Sequence, residues 1–366
     1  MIKSKSFENI KCFFSSIIPK SWLVKFLADR VKNKYQASEL IFPFRYGQNP
    51  RILTILPIST LESLHQISCL ISLASYFRNS DINVLIEKKA LPFFSRITGI
   101  SNFIEYDAEK LSLFSKEFSN IEKKILEKKY DLCLMLMQYP PLELLYMAGI
   151  SGALVRIGIK GSNGFPFLNL HVVPSPSRSH LTDKSLLLAS VLGVPVRQKA
   201  KWLVSKEAIE EVNIMLKEMK VSTSMNFAAI DGEYFIKTHG KKWLITLLEM
   251  LKRKSYYCYF LSLYEPDKDI FEWAQKQNIL FFSRLSVSRT AALLSISSIA
   301  ITGPTVFFEF CDLINTPVIG IFEENEYNLY CKESNTTRGL KYYNKIDSNI
   351  INMIEDYIDK VYINKS

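Results

Sequence analysis

The chain reads as an α/β protein built from two doubly wound, Rossmann-like halves that face each other across a cleft. Three observations predict this. Short apolar runs alternate with helical patterns in two separate series. A Gly- and Pro-rich stretch with no sustained period divides them. The 366 residues, 48% of them hydrophobic with 24 Phe and 18 Tyr, supply apolar surface for two cores.

In the first series, strand-like runs fall at 52–58, 83–87, 103–106, 131–137 and 154–159, with helical patterns at 63–77, 91–98, 108–129 and 141–150. Near-continuous apolar strands of this length, separated by helices, indicate a parallel sheet covered on both faces. Residues 161–180 then carry Gly161-Ser162-Asn163-Gly164 and Pro174-Ser175-Pro176-Ser177, which marks an interdomain connection. Two helices, near 182–192 and 205–219, lead into the second series. Its strands are expected at 226–230, 256–262, 279–282, 299–302 and 317–322, and its helices at 241–253, 267–276, 287–295 and 305–314. A last helix lies near 348–361. The expected organisation is a basic segment over 1–50, a first half over 51–160, the connection over 161–180, a second half over 181–345 and a C-terminal helix over 346–366.

The stretch from Ile301 to Phe322 is the most informative. It reads as a strand, a polar turn at Gly303-Pro304-Thr305, a helix, a short loop and a second strand. A helix N-terminus opening at the carboxyl end of a buried strand favours an anion, because unpaired N–H groups and the helix dipole point at it. The same pattern also fits an ordinary strand-to-helix crossover.

The net charge of +10 is unevenly placed. Residues 1–50 hold nine Lys or Arg against three acids, a net of +6, which leaves +4 to the other 316 residues. Apolar residues there fall at helical spacing: Phe7, Ile10, Phe13, Phe14, Ile17 and Ile18, then after Pro19 Trp22, Leu23, Phe26, Leu27 and Val31. Two basic amphipathic helices fit an anionic membrane surface, or they pack on the body of the protein. No uninterrupted apolar run is long enough to span a bilayer, and no apolar stretch is followed by a small-residue cleavage site. The six cysteines are scattered, without a Cys-x-x-Cys pair, as expected of reduced thiols in a cytoplasm.

Four blocks resemble glycosyltransferase family 9, the ADP-heptose:lipopolysaccharide heptosyltransferases, over about residues 50–325. The first is Ile52-Leu53-Thr54-Ile55-Leu56-Pro57-Ile58-Ser59-Thr60-Leu61-Glu62, where the family has a strand, Ser-Ser-Leu-Gly-Asp and a helix. Glu62 stands for the family's Asp, the proposed base that takes the acceptor proton; it equally suits a helix N-terminus on charge alone. The second, Tyr130-Asp131-Leu132-Cys133-Leu134-Met135-Leu136 with Val155-Arg156-Ile157-Gly158-Ile159, matches scaffold, and Arg156 reads as a surface charge. The third runs from Ala228-Ala229-Ile230-Asp231-Gly232 to Lys241-Lys242-Trp243. There Lys241 takes the place of a lysine that neutralises donor phosphate, with Thr238 and His239 in a preceding loop either reaching the same phosphates or plain. The fourth is the family's Asp-Thr-Gly-x-x-His signature, whose positions fall on Pro304, Thr305, Val306 and Glu309, beside Gly303. Only the hydroxyl of Thr305 is retained. A carboxylate at Glu309 suits sugar or ribose hydroxyls better than phosphate. Asp267-Lys268-Asp269 has the form of a metal-binding Asp-x-Asp, but it opens a helix after Pro266, where acids are expected anyway. Asp267 also lies where the family places an acidic ligand for the donor ribose.

The resemblance implies a GT-B fold and an inverting, metal-independent transferase without a cofactor. It would move a sugar, heptose or another, from a nucleotide-sugar donor to a lipid-linked cell-envelope saccharide such as lipopolysaccharide core. Its place would be the cytoplasmic face of the inner membrane of a bacterium, with no nucleic-acid partner. The altered signature leaves a second reading open: a membrane-associated binding protein that keeps the fold and has lost the chemistry.

Overall fold

The computed structural model describes residues 20–34, 47–161, 166–176, 179–196, 200–222, 224–343 and 348–363. The expected helix before Pro19 lies outside them. The first half contains helix α1 (Lys20–Lys34), strand β1 (Ile52–Ile55), α2 (Thr60–Leu64), α3 (Ile67–Tyr76), β2 (Ile82–Glu87), α4 (Leu91–Phe94), β3 (Asn102–Tyr106), α5 (Lys116–Leu126), β4 (Leu132–Met135), α6 (Leu142–Ile150), β5 (Val155–Ile159) and β6 (Leu170–Val172). There follow α7 (Leu181–Val191), α8 (Lys206–Glu218), β7 (Asn226–Ile230), α9 (Gly232–His239), α10 (Lys241–Arg253), β8 (Tyr256–Ser262), α11 (Lys268–Lys276), β9 (Leu280–Ser283), α12 (Val287–Ser295), β10 (Ile299–Thr302), α13 (Val306–Ile314), β11 (Val318–Glu323), α14 (Glu324–Tyr330), β12 (Thr337–Tyr342) and α15 (Ser348–Ile363).

The two sheets share one topology. The first runs β3-β2-β1-β4-β5-β6 and the second β9-β8-β7-β10-β11-β12, with every pairing parallel. In each, the winding reverses between the first strand and the fourth, so the loops after β1 and β4, and those after β7 and β10, splay apart. Open parallel sheets bind ligands at such a switch point. Strands β1, β4, β5 and β10 are buried along their whole length, as expected of strands covered on both faces.

The halves are not separate cores. One apolar cluster runs from Ile52 and Leu134 through Trp202 to Phe310 and Val318. The Trp202 indole donates to the Phe93 carbonyl at 3.1 Å, and its ring meets Phe310 edge-on at 5.3 Å. Phe93 and Phe310 also touch directly. In addition α2 packs against α13, which brings the element after β1 onto the element after β10.

Several expectations need correction. The connection over 161–180 is not featureless, since β6 extends the first sheet. Helix α7, grouped by sequence with the second half, packs on α3 and β5 of the first, burying Leu188 and Ala189. Arg156 is no surface charge: it is 5% exposed and its guanidinium donates to the Phe167 and Ala153 carbonyls at 2.8 Å each. Helix α1 packs on α6 through Leu27, Ala28 and Val31, with Val31 against Gly149. Trp22 and Phe26 on the same helix stay exposed and stack on each other at 5.6 Å. Helix α15 packs on α10 and β12.

Candidate active site

Strand β1 is followed by Leu56-Pro57-Ile58, and Ser59 caps the short helix α2. Its Oγ accepts from the Glu62 N–H at 3.4 Å, while Ser63 donates to the Pro57 carbonyl at 2.8 Å and ties the helix back to the loop. Glu62 therefore sits in the first turn, where the helix dipole favours a carboxylate. It lines a cavity of about 490 Å³ at the first switch point, shared with Gln66, Gln138, Tyr139, Lys184 and Tyr330. Burial raises the Glu62 carboxyl above the ordinary carboxylate range. A carboxylate that takes up a proton more readily than usual, on the wall of a cavity, is suited to general base work. Gln66 is 2% exposed and its amide oxygen has no hydrogen-bond partner among the described residues. Tyr330, brought in by α14, has its hydroxyl held protonated first by burial and then by the charges of Glu62 and Glu326.

Behind this cavity, α2 and α13 meet through a buried pair. His65 Nδ1 lies 3.2 Å from Glu309 Oε2, and both residues are buried. The edge of the His180 ring meets His65 at 5.1 Å, and the Tyr330 ring stacks on it at 5.7 Å. Burial, and then His180, push His65 well below the ordinary imidazole range, which favours the neutral ring beside Glu309. Glu309 was expected to meet sugar or ribose hydroxyls. Instead it is turned one helical turn into α13 and joins the halves.

At the second switch point the protein's own groups engage one another. Thr305 starts α13, but its hydroxyl does not cap the helix; it donates to Asp231 Oδ2 at 2.6 Å. Asp231 follows β7 and caps α9, its other oxygen accepting from the Tyr234 N–H. Burial pushes the Asp231 carboxyl up to about 6, against the lowering effect of these two hydrogen bonds. Gly303 is covered by the Tyr234 ring so closely that a Cβ at 303 would fall inside it. Thr305 and Gly303, expected to hold donor phosphate, thus touch Asp231 and Tyr234.

The remaining predicted residues lie farther out. Thr238 is in α9 rather than in a loop, exposed, with its hydroxyl donating to the Tyr234 carbonyl at 2.7 Å. His239 closes the same helix, packed among Tyr234, Phe235, Trp243 and Tyr342. Lys241 is exposed at the start of α10. Asp267 is the N-cap of α11, accepting from the Asp269 N–H at 3.0 Å, which accounts for the Asp-x-Asp spacing without a ligand. Among the described residues no group of three or more His, Cys, Asp or Glu is placed to hold a metal ion. Sequence reasoning missed Gln66, Gln138, Lys184 and Tyr330. They come from two loops and two helices far apart in sequence, and none stands in a motif that could have pointed to it.

Two six-stranded parallel sheets of identical winding, with switch points packed toward each other, define the GT-B class of fold. No family model matches the chain, and no curated protein matches it. Solved structures do. The chain is similar to a glycosyl transferase of family 9 from Veillonella parvula, at 14% identity over 87% of this chain and 91% of that one, with a TM-score of 0.67. It is similar to ADP-heptose lps heptosyltransferase II of E. coli, at 14% identity, 86% and 99% coverage and a TM-score of 0.67. The E. coli heptosyltransferase WaaC with ADP follows at 13% identity, 85% and 99% coverage and a TM-score of 0.62.

Proposed function

We propose that the protein is a glycosyltransferase that moves a sugar from a nucleotide-sugar donor to a saccharide acceptor in the cavity beside Glu62. The observation that carries this reading is the position of Glu62. It is a half-buried carboxylate at the first switch point, on a helix packed against the element that opens the second. The acceptor hydroxyl attacks the anomeric carbon as Glu62 takes its proton. The bond from that carbon to the diphosphate breaks, and its electron pair leaves with the nucleoside diphosphate. Inversion at the anomeric carbon follows from a single displacement. Lys241, Thr305 and the N–H groups opening α13 stabilise the leaving diphosphate once Thr305 releases Asp231. The reading takes over from the family resemblance an inverting transfer without a metal ion, and a lipid-linked envelope saccharide as acceptor, with heptose as one candidate sugar. It places the protein at an anionic membrane surface through the basic N-terminal segment. Among the described residues no helix is long and apolar enough to cross a membrane.

A second reading is favoured by one specific observation. The contact of Thr305 with Asp231, and the Tyr234 ring over Gly303, occupy the position assigned to donor phosphate. A protein that keeps this arrangement permanently would be a binding partner without transferase chemistry. A panel of ADP-, UDP- and GDP-sugars read by melting temperature separates the two. A donor that binds the folded state at 100 times its Kd stabilises it by about 2.7 kcal/mol, a shift of a few degrees. One sugar nucleotide giving that shift, and consumed when acceptor is added, supports the transferase. No shift with any of them supports the binding protein.

A further inference from the structure

A second concavity, of about 330 Å³, adjoins the main cavity and shares Gln138 and Lys184 with it. Its remaining wall is formed by Lys160, Ser179 and the segment from Val173 to Pro176. Among the described residues, two lysines and no carboxylate line it. Lys184 donates to the Gln138 amide oxygen at 3.1 Å and is half-buried. Lys160 is held by its N–H on the Val172 carbonyl at 2.8 Å. The next residue is a glycine, and a Cβ there would stand 2.6 Å from the Gln138 carbonyl oxygen, so the close approach that sets Lys160 beside Gln138 requires Gly161. Among the described residues neither lysine has a carboxylate within ion-pair distance. The neighbouring Asp183 is instead engaged by Lys332 at 2.8 Å. Burial lowers the Lys184 ammonium, the direction for a cation that lacks an anion. In the main cavity, Gln66 is a lining residue whose amide oxygen has no hydrogen-bond partner among the described residues.

We propose that the side cavity is an anion subsite, in which Lys184 and Lys160 hold a phosphate or carboxylate group of a saccharide whose ring lies in the main cavity against Gln66 and Glu62. The assignment rests on reading the main cavity as the acceptor site. It makes the acceptor an anionic sugar and Lys184 the residue that selects it. A neutral sugar would leave both lysines of this wall without an anion. A charge-assisted contact from each lysine replaces that arrangement with a paired one.

Calorimetric titration of the full chain at low salt with glucose 6-phosphate, glucuronate, glucose and inorganic phosphate tests it. At least one anionic sugar is expected to bind tenfold or more tightly than glucose, and the stronger of the two names the anion. Lys184→Gln should weaken that ligand by about tenfold, and Lys160→Gln/Lys184→Gln should erase the preference. Ser179→Asp, which adds a negative charge to the wall and leaves both lysines in place, should weaken it as well. Melting curves of the variants show that they fold. Equal affinity for glucose and both anionic sugars, no binding of any probe at millimolar concentration, or a preference that survives the double variant overturns the subsite. Anion preference in a protein that transfers no sugar removes the transferase reading and leaves the subsite. Transfer that is indifferent to the acceptor's charge and to Lys184→Gln does the reverse.

Discussion

At the scale of single residues, the two carboxylates at the switch points are distinguished by their surroundings. Glu62 is open to a cavity, and burial alone raises it. As a base it works only when ionised, so the acid limb of a rate-against-pH profile is expected above its ordinary value of 4.5. Glu62→Gln should cut turnover by about 10² or more and leave donor affinity unchanged; full activity in this variant would remove Glu62 from the mechanism. Asp231 is enclosed and pushed up to about 6 from 3.8. Its folded-state value is above its unfolded one, so the stability it contributes is complete below pH 3.8 and lost as pH rises through about 6. The corresponding deficit in neutral solution is about 3 kcal/mol at most. Asp231→Asn keeps a capping oxygen and should raise the melting temperature at pH 7.5, the gain vanishing toward pH 4. The same change removes an anion from the proposed donor site and should tighten nucleoside diphosphate binding. A variant less stable than the parent at pH 7.5 would show that the two hydrogen bonds outweigh the burial of charge. The placement of Glu62 in the first turn of the helix after β1 is legible because its motif is local. The partnering of Asp231 with Thr305 is not, since the two residues meet across 74 positions of sequence.

At the scale of elements, strands that are buried along their length were legible, because an unbroken apolar run between turn residues has few other uses. The two that were missed, β6 and β12, lie at sheet edges. β6 has three half-buried residues, and β12 carries Arg338 and Lys341 exposed, so neither shows an apolar run. The sequence of α9 reads as a turn and loop because Asp231-Gly232 resembles one; in the structure Asp231 caps the helix instead. Helix α1 has two faces with separate uses. Leu27 and Val31 are buried on α6, whereas Trp22 and Phe26 are 54% and 43% exposed. Leu27→Ala should therefore cost about 2–5 kcal/mol, seen as a lower denaturant midpoint. Trp22→Ser/Phe26→Ser should leave stability within about 0.5 kcal/mol per site. In the membrane reading, the same double variant should lose binding to vesicles containing anionic lipid, and salt should weaken the parent's binding. Binding unchanged by the double variant would place attachment elsewhere.

At the scale of the whole molecule, the two halves share one apolar cluster, although their sheets are separate. Domains joined by small polar interfaces move and unfold independently. Here the apolar cluster crosses the boundary with Trp202 inside it, and the buried His65–Glu309 pair joins the same two halves. Trp202 is the central element. It is 7% exposed, it is bonded to the Phe93 carbonyl in the first half, and it is packed on Phe310 in the second, with the Arg96 guanidinium 4.8 Å above its ring. Large rotations of one half against the other would break these contacts, so donor and acceptor are expected to meet by local rearrangement of α9 and the loop at Gly303 more than by rigid closure. The parent protein should then melt in a single calorimetric transition whose calorimetric and van't Hoff enthalpies agree. Trp202→Ala removes the indole between the halves and should cost about 3–5 kcal/mol. Because the lost contacts are those that couple the halves, it should also split the transition in two, with a sugar nucleotide raising only the upper or the lower one. Two transitions in the parent protein, or a Trp202→Ala variant that melts lower but still in one step, would show that cooperativity comes from elsewhere along the boundary.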